Sequence, residues 1–201
     1  MDKVRIINTQ TKKRLLFSIC TVVNDEKKYM ANQTTWKNKG FHGPDCEYLI
    51  CDNRRKNQFD GFQATRMFLD SARGHYVILS DLDSRPLETK QTLQNILGEL
   101  EHLDPRWAVV GNAGVQQATM RFVTLGLRMP GYPKRRNDEK FCRVEALDEN
   151  LLIVKGEARL SVSHDLKGFH LYGMDLCDVA RRLGRTCTWR RCAGTMNLMA
   201  H

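Results

Sequence analysis

The chain contains no apolar run of membrane-spanning length. Its longest apolar stretches are Leu15–Val23, Tyr76–Leu79 and Trp107–Val110, far short of the roughly 20 residues that a spanning helix needs. Met1–Asn8 is short and mixed and does not read as a secretory signal, so a cytoplasmic protein is expected. No two cysteines form a C-x-x-C pair, which argues against a zinc ribbon. The 7 cysteines are odd in number and scattered, so buried free thiols in a reducing compartment are expected. Internal repeats and low-complexity segments are also missing.

Acidic residues are scarce. There are 23 Asp and Glu against 32 Lys and Arg, a formal net charge of +9. The basic clusters are Arg54–Arg55–Lys56, Lys134–Arg135–Arg136, Arg181–Arg182 and Arg190–Arg191. Such a field favours anionic partners: nucleic acid, acidic lipid or a nucleotide diphosphate. No RNA- or DNA-binding motif with interleaved aromatics accompanies it, so nucleic acid is not expected. A length of 201 residues suits one domain with a substantial core.

Apolar strand patterns alternate with helical ones through the first half. Leu15–Val23 reads as a buried strand ending at Asn24–Asp25–Glu26, followed by a helix near Glu26–Trp36. Tyr48–Cys51 is a second buried strand ending at Asp52–Asn53, and Gly61–Ala72 is a helix. Tyr76–Ser80 is a third strand, and Leu87–Leu103 is the clearest amphipathic helix. Trp107–Val110 is a fourth strand. The order β-α-β-α-β-α-β predicts an α/β fold, a single Rossmann-like doubly wound, mostly parallel sheet with helices on both faces. Beyond it, Gln116–Lys140 is loop-like, Arg143–Ala146 and Leu151–Val154 read as strands, and Asp175–Leu183 reads as a helix ended by Gly184. Thr186–His201 shows little strand alternation. The organisation read from these patterns is an arm at 1–14, a main domain at 15–185 and an atypical tail at 186–201. The main domain divides into two halves, 15–114 and 115–185.

Tyr76–Ser80 empties into Asp81–Leu82–Asp83. In an extended segment, residues i and i+2 point to one side. Asp81 and Asp83 would then converge on one divalent cation at the carboxyl end of a buried strand, where open α/β sheets bind ligands. A hard cation held by one or two carboxylates takes its other ligands from phosphate and water, which suggests a phosphate-bearing substrate. A polar strand end with an Asp helix cap would account for the triplet as well. Nucleotidyl transfer would want a glycine-rich basic loop after the first strand, and Asn24–Asp25–Glu26 is not one.

These strand ends, together with Gly168–Phe169–His170–Leu171–Tyr172–Gly173–Met174–Asp175–Leu176–Cys177, resemble a family 2 type glycosyltransferase with the GT-A fold. The decamer is similar to a signature of a small bacterial branch, and Leu147–Asp148–Glu149 also fits. The resemblance covers roughly 15–185 and implies that 15–114 is the nucleotide-sugar-binding half and 115–185 the acceptor-binding half. It implies a hexosyl-type transfer from a nucleotide-diphosphate sugar, most often a UDP-sugar, to a hydroxyl acceptor, metal-dependent and inverting. The alternative is a catalytically impaired nucleotide-sugar-binding protein derived from such an enzyme. It further implies that Thr21, Val23 and Asn24 line the nucleoside pocket and that Asp52 bonds the base. Asp81 and Asp83 would hold Mn²⁺ or Mg²⁺, with Asp81 also near the ribose, and Arg66 and Arg73 would neutralise phosphate. Relatives carry an acidic pair where this chain has Tyr172–Gly173, so Asp175 is the first candidate base and His170 the second. Asp175 could equally be a helix cap, and His170 a packed core histidine. Asp148 and Glu149 could face the acceptor or simply form a turn. His201 is the candidate third metal ligand. The basic surface could rest on acidic lipid at the inner face of the membrane.

Overall fold

The computed structural model describes residues 14–116, 121–123 (backbone only) and 140–190. The arm around Val4–Asn8, most of the Gln116–Lys140 loop, Arg191 and His201 lie outside them. The first half alternates as expected: β1 (Leu15–Val23), α1 (Glu26–Asn38), β2 (Cys46–Asp52), α2 (Gly61–Ser71), β3 (Gly74–Ser80), α3 (Lys90–Leu103) and β4 (Trp107–Gly111). The second half adds β5 (Gly114–Gln116), β6 (Arg121–Val123), β7 (Phe141–Arg143), β8 (Ala146–Leu147), β9 (Leu151–Lys155), α4 (Tyr172–Arg182) and β10 (Thr186–Arg190).

The main sheet has seven strands in the order β2-β1-β3-β9-β4-β10-β7. β1, β2 and β3 are mutually parallel. β9 is antiparallel to both β3 and β4, and β7 is antiparallel to β10, which itself runs parallel to β4. The sheet is therefore mostly parallel, with β9 reversed inside it. A small second sheet joins β6, β5 and β8.

Helices cover both faces, which is why the central strands read as continuous apolar runs. On one face, Trp36 of α1 and Leu93, Leu97 and Leu100 of α3 pack with Phe17, Ile78 and Trp107. On the other, Phe62 and Phe68 of α2 and Leu176, Cys177 and Ala180 of α4 pack with Val77, Leu79, Leu152 and Val154. Asp25 caps α1 by accepting from Lys28 N, and Asp60 with Gln63 forms a capping box on α2. The six described cysteines are free thiols, and all but Cys46 are buried. Among the described residues, no helix is long and apolar enough to cross a membrane.

Four local expectations are corrected. The helix expected from Leu87 starts at Lys90, where the Thr89 side chain accepts from Thr92 N. The strand expected over Arg143–Ala146 is broken: Val144 N bonds to Cys187 O while Glu145 N turns to Val115 O, so the chain crosses between sheets. The helix expected from Asp175 begins three residues earlier, at Tyr172. Thr186–Arg190, expected to lack strand character, is a strand between β4 and β7. It shows no alternation because Cys187 through Arg190 are all buried, and Arg190 pairs with Glu88 at 2.9 Å.

β1 and β3 approach closely at Gly74. A Cβ there would sit 2.5 Å from Ser18 N and 2.7 Å from Tyr76 O. Gly74→Ala is expected to destabilise the fold by about 1–3 kcal/mol, read from denaturant unfolding. Unchanged stability would mean that the two backbones are not in contact there.

Candidate active site

The carboxyl ends of β1, β2 and β3 lie at one edge of the sheet, because the three strands are parallel and in register. β9 starts at the same edge, since Ser80 pairs with Leu151. That pairing sets Asp148, Glu149 and Asn150 beside the end of β3. The start of α4 reaches the same place. A Cβ on Gly173 would meet Leu147 O, and one on Gly61 would meet the Tyr172 ring. Tyr172 Oη donates to Glu149 O at 3.2 Å.

Asp81 and Asp83 do not lie on an extended segment. β3 ends at Ser80, and 81–84 is a turn closed by Ser84 N donating to Asp81 O at 3.2 Å. The turn is held from two sides. Asp81 N and Ser84 Oγ both donate to Asn150 O, at 3.2 and 2.7 Å. Asn32 Nδ2, from the buried face of α1, donates to Leu82 O at 3.0 Å and Ser84 O at 2.6 Å. Neither Asn32 nor Ser84 was anticipated from the sequence. The available signal was a polar residue one turn before Trp36 on the same buried helix face.

Asp81 is the electrostatic focus. Its carboxyl is pushed up from its ordinary 3.8 to about 6, first by desolvation, then by Asp148, Glu149 and Asp83, with His170 opposing. It is exposed at the mouth of the site, yet surrounding protein replaces enough water to disfavour its charge. Burial and the Asp81, Glu149 and Asp148 carboxylates also raise the Tyr172 phenol. Asp83 stands further out and pairs with Lys28 Nζ at 3.5 Å across open solvent. Among the described residues, no three His, Cys, Asp or Glu side chains already form a metal-binding group.

The other candidate residues divide. Asn24 is exposed at the end of β1, but Thr21 and Val23 are buried in the packed sheet. Asp52 is engaged by Arg54, whose Nε and Nη2 donate to its two oxygens at 2.9 and 2.8 Å. This pairing holds the Asp52 carboxyl well below the usual carboxylate range. Arg66 donates to Ser163 O at 2.8 Å. Arg73 precedes β3 and pairs with Glu47 at 2.7 Å, so it lies at the opposite edge from Asp81 and is no phosphate ligand there. Asp175 sits inside the first turn of α4, and the residue before that helix is Leu171. Both Asp175 oxygens are taken by Ser163, from N at 2.7 Å and Oγ at 2.6 Å. His170 is exposed rather than packed in the core, and it is near enough to Asp81 for its charge to be felt.

Comparison with known proteins agrees with this architecture. No family model matches the chain. Its fold is similar to that of S. aureus TarS in complex with UDP-GlcNAc, with a TM-score of 0.55 and 13% identity, covering 90% of this chain and 60% of that one. GalNAc-T7 with UDP, GalNAc and Mn²⁺ gives 0.53 and 12%, covering 89% and 43%. A197 from STIV gives 0.50 and 14%, covering 88% and 82%. TarS and GalNAc-T7 are glycosyltransferases, and the fold is of the GT-A type. By sequence, the chain belongs to the family of the Fuscovulum blasticum protein described as "ATP synthase subunits region ORF 6". The two are 34% identical over 176 residues, which is 85% of this chain and 70% of that protein. That description carries no activity.

The raised Asp81 carboxyl gives a pH test. The folded state keeps this proton up to about pH 6, the unfolded chain only to about 3.8. Between those values the folded state binds more protons, so stability falls as pH rises through the window. Asp81→Asn is expected to flatten that slope and raise the unfolding midpoint at pH 8. Solvent access keeps the gain below about 1 kcal/mol. Parallel pH profiles for the two proteins would show that Asp81 is not desolvated.

Proposed function

We propose that the chain transfers a sugar from a nucleotide-diphosphate sugar, a UDP-sugar, to a hydroxyl acceptor, with a divalent cation and with inversion. The observation that carries this is Asp81 at the carboxyl edge of the parallel strands, charge-disfavoured and ringed by Asp83, Asp148 and Glu149. Four carboxylates gather there against Lys28 and His170, and a divalent cation would offset the excess negative charge. The donor set is all oxygen, which suits Mg²⁺ or Mn²⁺. Asp81 and Asp83 would hold the ion, Asp81 from the pinned turn and Asp83 after exchanging Lys28. When bound, the cation stabilises negative charge on the departing diphosphate.

The remaining roles fall to the chain's own side chains. Asn24 offers an exposed amide to the nucleoside. Lys28, freed from Asp83, lies in the first turn of α1 and can face phosphate. Asp52 can meet the base only by sharing the carboxylate that Arg54 holds. His170, exposed and close to Asp81, is the base that takes the acceptor proton. Asp175 is a positioning residue: it fixes Ser163, to which Arg66 is also tied. That occupancy also favours a second reading, a nucleotide-sugar-binding protein without turnover.

Titration calorimetry with UDP separates these readings from an unrelated function. Binding is expected to need Mn²⁺ or Mg²⁺ and to weaken by about 10–100-fold in Asp83→Ala. His170→Ala is expected to retain UDP affinity but lose about 10²–10⁴-fold in sugar transfer or donor hydrolysis. UDP binding with no turnover in the wild type would favour the second reading. No binding by folded protein with either metal would overturn both.

A further inference from the structure

Four large apolar side chains that are exposed fall close together in the chain: Leu166 at 42%, Phe169 at 45%, Leu171 at 58% and Met174 at 47%. Isolated exposed apolar residues are ordinary, but a contiguous set marks a contact surface. The fold fixes where this set stands. Gly168 O accepts from Gly61 N, the first residue of α2, at 2.9 Å. Tyr172 Oη donates to Glu149 O at 3.2 Å, and a Cβ on Gly173 would sit 2.5 Å from Leu147 O. These anchors belong to the edge that carries Asp81, Asp148 and Glu149, so Phe169, His170 and Leu171 border the candidate site. Leu171, the most exposed of the four, has φ 72, a left-handed backbone that a branched side chain adopts at a cost. Strain kept at such a position is characteristic of functional sites.

The apolar tips are interleaved with polar residues. Lys167 stands between Leu166 and Phe169, and His170 stands between Phe169 and Leu171. A surface of that grain fits a molecule whose own faces mix C–H and O–H groups, such as a pyranose ring, whereas an alkyl chain calls for an unbroken apolar wall. The charge of the edge narrows the choice further. Asp81, Asp83, Asp148 and Glu149 gather there against Lys28 and His170. A divalent cation and the diphosphate of a sugar nucleotide carry equal and opposite charge, so binding the two together leaves that carboxylate excess in place. A further phosphate brought in by the acceptor would meet like charge.

We propose that Phe169 and Leu171 are the specificity-determining platform for the acceptor, and that this acceptor is an uncharged glycoside. The C–H face of its ring lies on Phe169 and is bounded by Leu171, which presents a hydroxyl to His170 between them. Asp148 and Glu149 select against phosphorylated acceptors. This rests on the nucleotide-sugar reading and adds which acceptor the same site takes and which residues choose it.

Saturation-transfer NMR on the full chain with UDP and Mg²⁺ tests it, with methyl glucoside, methyl galactoside and glucose phosphate as probes. Saturation is expected on the ring C–H protons of a methyl glycoside, with glucose phosphate bound about tenfold more weakly. Phe169→Ala should weaken the glycoside by about tenfold and Phe169→Trp should retain it, with UDP affinity unchanged in both. If Phe169→Ala is unfolded by circular dichroism, Leu171→Asn serves the same purpose, since Asn tolerates the left-handed backbone. Asp148→Asn with Glu149→Gln should narrow the gap between glycoside and glucose phosphate, which a merely structural role for these carboxylates would not do. Four results would overturn the proposal: no saturation of either methyl glycoside, wild-type saturation in folded Phe169→Ala, glucose phosphate bound as tightly as the glycosides, or a wild-type dimer that these substitutions disperse. UDP binding without glycoside contact refutes this inference alone, whereas no UDP binding refutes the reading beneath it as well.

Discussion

The candidate site depends on the reversed strand in the middle of the sheet. β9 runs antiparallel between β3 and β4, so its first residues lie where β3 ends. Asn150 O then accepts from both Asp81 N and Ser84 Oγ, and the turn carrying Asp81 and Asp83 has one position. Asn32 closes the turn from the opposite helix. With a parallel strand in that place, its amino end would lie at the other edge, and Asp148 and Glu149 would be a strand's length from Asp81.

The same constraint creates the electrostatic contrast of the molecule. A chain with a net charge of +9 gathers Asp81, Asp83, Asp148 and Glu149 at one edge. Desolvation and mutual repulsion raise the Asp81 carboxyl, an arrangement that costs the fold stability and that the proposed cation would offset. Around this acidic centre stand groups that are already matched: Asp52 with Arg54, Asp175 with Ser163 and Arg66 with the Ser163 carbonyl. The matched groups shape the edge, whereas Asn24 and His170 remain exposed on it.

The parallel half of the fold was legible because β1, β3 and β4 are buried on both faces and its helices carry capping residues, whereas the edge strand β2, expected to be buried, is largely half-exposed. β1, α2, β3 and β4 follow their apolar runs to within about two residues. β10 was not legible for the same physical reason: a strand buried on both faces has no alternation, and Thr186–Arg190 also lacks a long apolar run. At the site, Asp81 stood out as a carboxylate after an apolar strand. Its geometry did not, because the extended spacing assumed for Asp81 and Asp83 gives way to a turn fixed by residues distant in sequence. Asp52 and Asp175 look like free carboxylates in the sequence, and only the fold shows that Arg54 and Ser163 hold them.

The most direct measurement is diffraction from crystals soaked with UDP and Mn²⁺, using the anomalous signal of the metal. The account predicts a manganese peak between the Asp81 and Asp83 carboxylates, bridged to the diphosphate, with the uridine beyond the ends of β1 and β2. A nucleotide bound at the amino edge of the sheet, or bound at the carboxyl edge with no metal near Asp81, would contradict it.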